Sequence, residues 1–212
     1  RFIKKTGMSP DAFVQVAMQL ATYRLFGEQA GTYEATQMRP FLHGRTETTR
    51  AVSTESAAFV NRMGLVSRHE RDNKEACMEK VALLRQAVGA HVKYISNASK
   101  GYGVDRHFFG LAMLVQDGDV APDLFSDPVF VRAKRWRVST SHLTHPNFEN
   151  WGYGEVVPDG VGLAYGIKPD CCIFNVTALK EHGWTDPLCH HLEEALLEMR
   201  GLINVEMMRS RL

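Results

Sequence analysis

Residues 154–176, with the sequence GEVVPDGVGLAYGIKPDCCIFNV, decide the fold class. Short apolar or β-branched runs at Gly154–Val157, Val161–Ile167 and Cys172–Val176 predict three β-strands. Between the first two runs, Pro158-Asp159-Gly160 has the composition of a tight hairpin turn. The C-terminal part of the chain is therefore predicted to carry a β-sheet.

The chain before this sheet has helical periodicity. Ser9-Pro10-Asp11 predicts a helix start, with an N-cap serine, a proline in the first turn and an acid on the helix dipole, and Gly27 ends that helix. Further elements are helices from about Ser53 to Met63, from about Arg68 to Ala98, from Asp105 to Leu114 and from Asp186 through Met199, and a strand at Trp136-Arg137-Val138. The order predicts one α/β domain with helices first and a sheet later.

Composition excludes several classes of function. The 212 residues are 44% apolar and 23% charged, which is ordinary for a globular domain. A formal net charge of +1 argues against nucleic acid as a partner, because no large basic field is present. No apolar run approaches the ~18 residues that a bilayer span needs, so no transmembrane segment is predicted.

The cysteines and histidines do not form metal-binding motifs. The four cysteines, at 77, 171, 172 and 189, make no CxxC pair and predict reduced thiols rather than a disulfide framework. Among the nine histidines, Cys189-His190-His191 is the densest group, but adjacent helical positions point apart and no second ligand pair follows. No metal site is predicted.

Five phrases together resemble one protein family. TYEAT at 32–36, RTETTR at 45–50, GYGVDRHFFG at 101–110, STS at 139–141 and GEVVPDG at 154–160 occur in this order. They closely resemble the C-terminal half of the choline/carnitine acyltransferase family, and the likeness runs from SPDAF at 9–13 to the last predicted helix. The family moves acyl groups between coenzyme A and a small zwitterionic or cationic alcohol. The resemblance implies a mixed β-sheet flanked by helices, in the CoA-dependent, chloramphenicol acetyltransferase-like fold.

The resemblance implies that Tyr33, Thr46 and Arg106 hold the carboxylate of carnitine. An arginine flanked by two hydroxyls suits a carboxylate, because charge-assisted hydrogen bonds are the strong ones. Taken singly, each residue has an ordinary alternative as a packing tyrosine, a turn threonine or a solvated helix charge. Choline acetyltransferases carry Val-Asp-Asn where this chain has Thr46-Glu47-Thr48, and choline has no carboxylate. Thr46 and Arg106 therefore favour carnitine over choline.

The STS phrase is expected to supply the oxyanion donor. In the family its last serine, here Ser141, donates to the oxyanion of the tetrahedral intermediate, a role that stabilises a transition state by ~3 kcal/mol. Ser139 and Ser141 are both expected to contact carnitine. By themselves, such hydroxyls commonly bond to backbone at a strand edge. The family commonly continues with glutamine where this chain has His142, so no coenzyme A contact is inferred there.

Two aromatic residues after the STS phrase bear on the substrate. Tyr153 matches a family phenylalanine beside the trimethylammonium group, and a tyrosine face also attracts a cation, although core packing is an equal alternative. Trp151 occupies a position where carnitine acetyltransferases tend to carry a bulky residue and long-chain enzymes a glycine. A tryptophan there would close the acyl tunnel, which predicts an acetyl or short-chain enzyme.

Coenzyme A is expected as a co-substrate, with no permanently bound cofactor. Lys4 aligns with a family lysine on the 3′-phosphate, Lys5 is adjacent, and Asp11 matches an acid near the pantetheine arm. Ordinary alternatives are solvated lysines and an aspartate on the helix dipole.

The general base of the family is a histidine in its preceding half, and no similar phrase occurs here. Residues 1–212 are therefore expected to be the C-terminal half of an acetyl-transferring enzyme, to pack against the missing N-terminal half and to be inactive alone. A medium- or long-chain enzyme and a non-catalytic module that binds coenzyme A or carnitine are the alternatives. Ser210-Arg211-Leu212 is a variant of a peroxisomal signal or an arbitrary end, and a mitochondrial location stays open.

Overall fold

Five strands form one mixed sheet in the order β2-β1-β3-β4-β5. The computed structural model describes residues 1–67, 73–147 and 149–209. The strands are β1 Thr32–Gln37, β2 Thr46–Arg50, β3 Val138–His142, β4 Val161–Ile167 and β5 Cys172–Thr177. The central strands β1, β3 and β4 are parallel, and the edge strands β2 and β5 run antiparallel to their neighbours. The expected mixed α/β sheet with flanking helices is confirmed.

The helices are α1 Phe2–Lys5, α2 Pro10–Phe26, α3 Thr54–Met63, α4 Lys74–Asn97, α5 Asp105–Met113, α6 Pro128–Ala133 and α7 Thr185–Arg209. A π-helical turn at Ala98–Tyr102 follows α4, and 3₁₀ turns occur at Asp123–Phe125 and Lys180–His182. Among the described residues, no helix has both the length and the hydropathy that a bilayer crossing requires.

The boundaries of α2 follow the predicted signals. Ser9 accepts a hydrogen bond from the backbone of Ala12, Pro10 opens the helix, and Gly27 ends it with φ +73° in the left-handed region. Nearly every side chain from Ala12 to Thr22 is buried, so α2 is a core helix enclosed on all sides.

The other predicted helices are found with altered ends. The helix α3 begins near its expected start, and Ser53 caps it. Gly101 at φ +86° follows α4, whose expected start at about Arg68 lies outside the described residues. Asp105 does not cap α5, because Val104 holds that position without a side-chain cap and the Asp105 carboxylate binds Arg50 instead. The last helix runs on to Arg209, and residues 210–212, with their candidate targeting signal, lie outside the described residues.

The predicted order of helices first and sheet later is wrong, because β1 and β2 precede α3–α6. These two strands were not predicted because their sequences, TYEATQ and TETTR, lack the alternation of apolar and polar residues that is typical of a strand. Trp136-Arg137-Val138 marks only the start of β3. The predicted strand at Gly154–Val157 is not formed. The Gly154 carbonyl lies so close above Gly162 of β4 that a side chain at Gly162 would contact it. This segment therefore crosses over β4 instead of pairing beside it. The turn at 158–160 therefore closes no hairpin.

The two faces of the sheet differ in chemistry. The core formed by α2, α3, α4 and α7 includes Val138, Val161, Leu163 and Tyr165, which alternation places on one face of β3 and β4. The opposite face, here called the polar face, carries small and polar side chains: Tyr33, Thr46, Thr48, Ser139, Ser141, Gly162, Ala164, Asn175 and Thr177. The helices α2, α3, α4 and α7 therefore cover one face, and the residues predicted to bind carnitine lie on the other.

Candidate active site

A row of paired residues crosses all five strands on the polar face. Arg50 lies opposite Tyr33, Tyr33 beside Ser139, Ser139 beside Gly162 and Gly162 opposite Thr177. Two of the residues predicted to bind carnitine, Tyr33 and Ser139, are thus direct neighbours in the parallel ladder. Ser141 lies one pleat further along β3 on the same face and is half-buried.

Tyr153 is fastened over this row. Its hydroxyl donates to the Ser139 carbonyl at 2.7 Å and to the Leu163 carbonyl at 3.3 Å, while the Thr177 hydroxyl donates to the Tyr153 carbonyl at 2.7 Å. Burial raises the pKa of Tyr153, so its hydroxyl stays a donor. The Trp151 ring lies 5.5 Å from the Tyr153 ring, centroid to centroid. Tyr153 therefore lies against Ser139, and Trp151 packs on Tyr153.

Thr46 and Arg106 form a second group. The Arg106 guanidinium donates from Nε to the Thr46 carbonyl at 3.0 Å and from Nη2 to the Thr46 hydroxyl at 3.3 Å. The buried Glu47 carboxylate accepts from the Arg106 backbone N–H at 3.3 Å, and a side chain at Gly103 would collide with Glu47. Glu47 and Gly103 thus hold the start of α5 against β2 and aim Arg106 at the polar face.

The three residues implied for the carboxylate are not in mutual contact. Thr46 lies opposite Gln37, which is four residues along β1 from Tyr33, or about 13 Å. The Tyr33 ring packs on Trp136 at 6.1 Å between centroids. A ligand that touched all three would have to bridge the Tyr33–Ser139 group and the Thr46–Arg106 group.

A cavity of about 290 Å³ adjoins Arg106 between β2, α5 and α6. Phe108, Phe130 and Trp136 line it, together with the Arg50–Asp105 ion pair, whose shorter N–O distance is 2.7 Å. The Thr48 hydroxyl also faces this region and is buried without a partner among the described residues. The site therefore has spare hydrogen-bonding capacity beside an aromatic wall.

The residues predicted to bind coenzyme A lie at the carboxyl edge of the sheet. Lys4 and Lys5 are exposed on α1, and Lys4 lines a cavity of about 670 Å³ with Lys168 and Arg200. Asp11, in the first turn of α2, accepts a hydrogen bond from the Tyr165 hydroxyl at 2.7 Å. Asp11 is thus more than a charge on the helix dipole.

A buried acid–imidazole pair lies behind β1. The Glu34 carboxylate is 2.6 Å from Nε2 of His91, with both side chains almost fully buried. The pKa of Glu34 is raised to about 7: burial is the main cause, the nearby Asp11 contributes to the rise, and His91 opposes it. Donor atoms of Asp11, Glu34 and His91 lie within 4.8 Å of one another, a spacing that could admit a metal ion. The 2.6 Å separation is that of a hydrogen bond, and the absence of a metal stays a prediction.

Sequence reasoning missed the polar residues that support this site from behind: Gln15, Glu34, Glu47 and His91. A signal existed for the first, because Gln15 and Gln19 interrupt the apolar run FVQVAMQLA of α2 one turn apart. The others had none, because an isolated charged residue usually marks a solvated face.

Comparison with known proteins agrees with this geometry. The sequence profile of the Choline/Carnitine o-acyltransferase family matches residues 1–194, and the chain belongs to this family. It is 41% identical over 176 residues to the mitochondrial carnitine O-acetyltransferase of Saccharomyces cerevisiae, covering 82% of this chain and 25% of the yeast protein. It is 38% identical to Homo sapiens carnitine O-acetyltransferase over 205 residues, covering 95% and 32%. With human choline O-acetyltransferase it shares 34% over 209 residues, covering 96% and 27%. The chain thus spans about a quarter to a third of the length of these relatives.

Proposed function

We propose that this chain is the C-terminal half of a carnitine O-acetyltransferase, which moves an acetyl group reversibly between coenzyme A and L-carnitine. The observation that carries the proposal is that Tyr33, Ser139, Ser141 and Tyr153 gather on one sheet face.

Carnitine would be held at both of its charged ends. Arg106 has five N–H donors and gives two of them to Thr46, so donors remain for a carboxylate. The rings of Tyr153 and Trp151 offer π-faces to a trimethylammonium group. Because choline has no carboxylate, the Thr46–Arg106 pair favours carnitine over choline, the substrate named for part of the relatives.

The reaction joins the carnitine oxygen to the thioester carbonyl carbon. The alcohol loses its proton to a base, its oxygen attacks, and the carbonyl oxygen becomes an oxyanion to which the Ser141 hydroxyl donates. Collapse breaks the carbon–sulfur bond, and the leaving thiolate takes the proton back from the base. A preorganised hydroxyl at this point is worth about 3 kcal/mol. The base itself is assigned to a histidine outside this chain.

Coenzyme A would approach at the carboxyl edge of the sheet. Lys4 and Lys5 supply positive charge for a phosphate, with Lys168 and Arg200 lining the same cavity as Lys4. Asp11 would face the pantetheine arm. No resident cofactor is needed, because coenzyme A enters and leaves as a substrate.

The missing half would cover apolar surface around α5 and α6. Phe109, Met113, Leu114 and Val129 are each more than 60% exposed. Such a patch is unusual for a face in contact with water and suits an interface. Without that half the chain lacks its base, so we expect it to be inactive alone. A peroxisomal or a mitochondrial location is proposed for the whole enzyme.

The alternative of a medium- or long-chain enzyme depends on Trp151. This ring is half-buried against Tyr153, where it would fill an acyl pocket. We predict that Trp151→Gly raises octanoyl transfer by at least tenfold while acetyl transfer changes less, as measured by rates with the two acyl-CoA substrates. An unchanged octanoyl rate would show that Trp151 does not limit the acyl chain and would remove the argument against a long-chain enzyme.

The function is tested by thiol release from acetyl-CoA with L-carnitine and with choline. The 212-residue chain and the longest protein that its gene encodes are assayed side by side. Activity of the longer protein alone, faster with carnitine, supports the proposal. Turnover by the short chain would place the base within it, and coenzyme A binding without turnover by either would favour the non-catalytic module.

A further inference from the structure

A continuous chain of buried hydrogen bonds joins the two substrate sides of this molecule. The Gln15 amide on α2 donates from Nε2 to the Thr140 hydroxyl at 2.8 Å and to the Tyr165 hydroxyl at 2.9 Å. Thr140 then donates to the Tyr33 carbonyl at 2.8 Å, and Tyr165 donates to Asp11 at 2.7 Å. Gln15, Thr140 and Tyr165 are each 0% exposed.

The two terminal acceptors determine which group donates in every hydrogen bond of this series. The Tyr33 carbonyl and the Asp11 carboxylate can only accept, so the hydroxyls of Thr140 and Tyr165 must donate their hydrogen bonds to them. Each hydroxyl therefore needs a donor, and the Gln15 amide has two. Burial raises the pKa of Tyr165 well above its ordinary value, with the charges of Glu34 and Asp11 adding to the rise, which keeps that hydroxyl protonated.

Gln15 reaches the site from behind the sheet. Thr140 points toward the helices, while its neighbours Ser139 and Ser141 point to the polar face. A side chain that fixes Thr140 against Tyr33 also fixes the height and register of β3 beside β1. An oxyanion donor that shifts by ~1 Å loses much of its effect on rate.

The geometry points to Gln15 as a positioning residue for acyl transfer: it holds the Ser139–Ser141 strand on the carnitine side and Asp11 on the coenzyme A side through one amide group. This inference rests on the proposed function. Gln15 touches neither substrate, and its effect passes through Thr140 and Tyr165.

Two substitutions separate the hydrogen bonds of Gln15 from its bulk. Gln15→Met keeps the length of the side chain and removes both donors. Gln15→Glu keeps the shape but replaces two N–H donors with a carboxyl group that has at most one proton, so at least one of Thr140 and Tyr165 must turn toward it and abandon its own acceptor. The second variant should therefore be the more damaging to catalysis.

Gln19 provides a matched control. It lies one turn further along α2, is also buried, and donates from Nε2 to the Ala51 carbonyl, which follows the end of β2, rather than to Thr140 or Tyr165. Gln19→Met removes a buried amide hydrogen bond of the same kind from the same helix. It should lower the unfolding midpoint by no more than Gln15→Met does, because it removes one hydrogen bond instead of two, and it should leave kcat and KM unchanged.

The experiment measures kcat and the two KM values for acetyl-CoA and L-carnitine in the longest protein that the gene encodes, per folded molecule, with thermal unfolding as the folding check. We expect Gln15→Glu to lower kcat at least tenfold and to raise both KM values, with Gln15→Met intermediate and Gln19→Met at wild-type values. Gln15 variants that are folded and match Gln19→Met in kcat and KM would overturn the inference.

Thr140 keeps the inference testable if Gln15→Glu does not fold. Thr140→Val removes the intermediate hydroxyl and Thr140→Ser retains it, so only the valine variant should lose activity. The double variant Gln15→Met/Thr140→Val should be little worse than the poorer single variant, because each substitution already removes the hydrogen bond between Gln15 and Thr140. Equal losses for Val and Ser would overturn the inference. Absence of carnitine acetyl transfer in the wild-type protein would instead refute the proposed function.

Discussion

The helix-covered face of the sheet differs between its two halves. In β3 and β4 it presents mainly apolar side chains, Val138, Val161 and Leu163, with the hydroxyls of Thr140 and Tyr165 as polar exceptions. In β1 and β2 it presents buried polar residues: Thr32, Glu34, Thr36, Glu47 and Thr49. The apolar half is held by packing, which any side chain of the right shape can supply. The polar half is held by hydrogen bonds whose donors and acceptors must match. Packing therefore dominates behind β3 and β4 and hydrogen bonding behind β1 and β2, and the Gln15 hydrogen bonds to Thr140 and Tyr165 are the polar contacts within the apolar half.

A core substitution in the apolar half should affect stability and leave the chemistry intact. Leu163 is fully buried among the helices, so Leu163→Ala leaves a cavity and should cost about 2–5 kcal/mol of folding free energy. The thermal unfolding midpoint measures this loss. At temperatures where the variant is folded, its kcat should equal that of the wild type. A large fall in kcat would contradict the view that packing in this half contributes to stability and not to catalysis.

Removal of the proposed oxyanion donor should lower kcat and leave folding stability unchanged. Ser141→Ala is expected to lower kcat by about 10²-fold or more, corresponding to ~3 kcal/mol, with an unfolding midpoint close to wild type. Steady-state acetyl transfer and thermal unfolding on the same sample decide it. Ser139→Ala serves as the neighbouring control and should cost less.

Loss of the charged receptor should act on binding. Arg106→Gln keeps a donor for Thr46 but removes the positive charge, and hydrogen bonds to charged groups contribute about 1.5–3 kcal/mol. The KM for carnitine should rise by roughly 10- to 100-fold, while the KM for acetyl-CoA stays constant. A rise in the acetyl-CoA value alone would place Arg106 on the other substrate.

The smallest expected effect is the pH dependence of folding stability that Glu34, in the polar half, contributes. Because burial raises the pKa of Glu34 to about 7, the folded protein holds a proton that the unfolded chain has released above its ordinary pKa of 4.5. Stability contributed by this group is therefore present below pH 4.5 and is lost as the pH rises toward and through 7. Glu34→Gln should flatten this dependence, by on the order of 1 kcal/mol between pH 5 and 8.

Unfolding midpoints of wild type and Glu34→Gln across that pH range test the shift. The partners that face Glu34 are Asp11 on α2 and His91 on α4, so His91→Gln is the companion variant. Parallel pH profiles for wild type and Glu34→Gln would show that the carboxyl is ionised throughout.

What the sequence could predict follows the same division. The helix α2 and the strand β4 were predictable because both are nearly continuous apolar runs and their ends carry Pro10, Gly27 and Gly160. The strands β1 and β2 were missed because TYEATQ and TETTR bury hydroxyls and carboxylates, which sequence patterns assign to the surface. Buried polar pairing is decided by partners distant in sequence, which no local window contains.

The candidate site shows the same limit. Each residue could be named from its phrase, and Thr46 with Arg106 or Tyr33 with Ser139 are neighbours in the structure. The spacing between these two groups is set by the register of β1 with β2 and could not be read from the phrases. The role of Gln15 required Thr140, which lies 125 residues further along the chain.

The parallel pairing of β1 with β3 has a consequence for biosynthesis. Residues 38–137 separate the two strands, and at ~5–20 residues per second a ribosome needs about 5–20 s to make that crossover. Throughout this interval β1 has β2 as a partner on one side and an open ladder on the other. A nascent chain in this state offers an unpaired strand edge to other chains, so slow translation or a shortage of chaperones should lower the yield of folded protein.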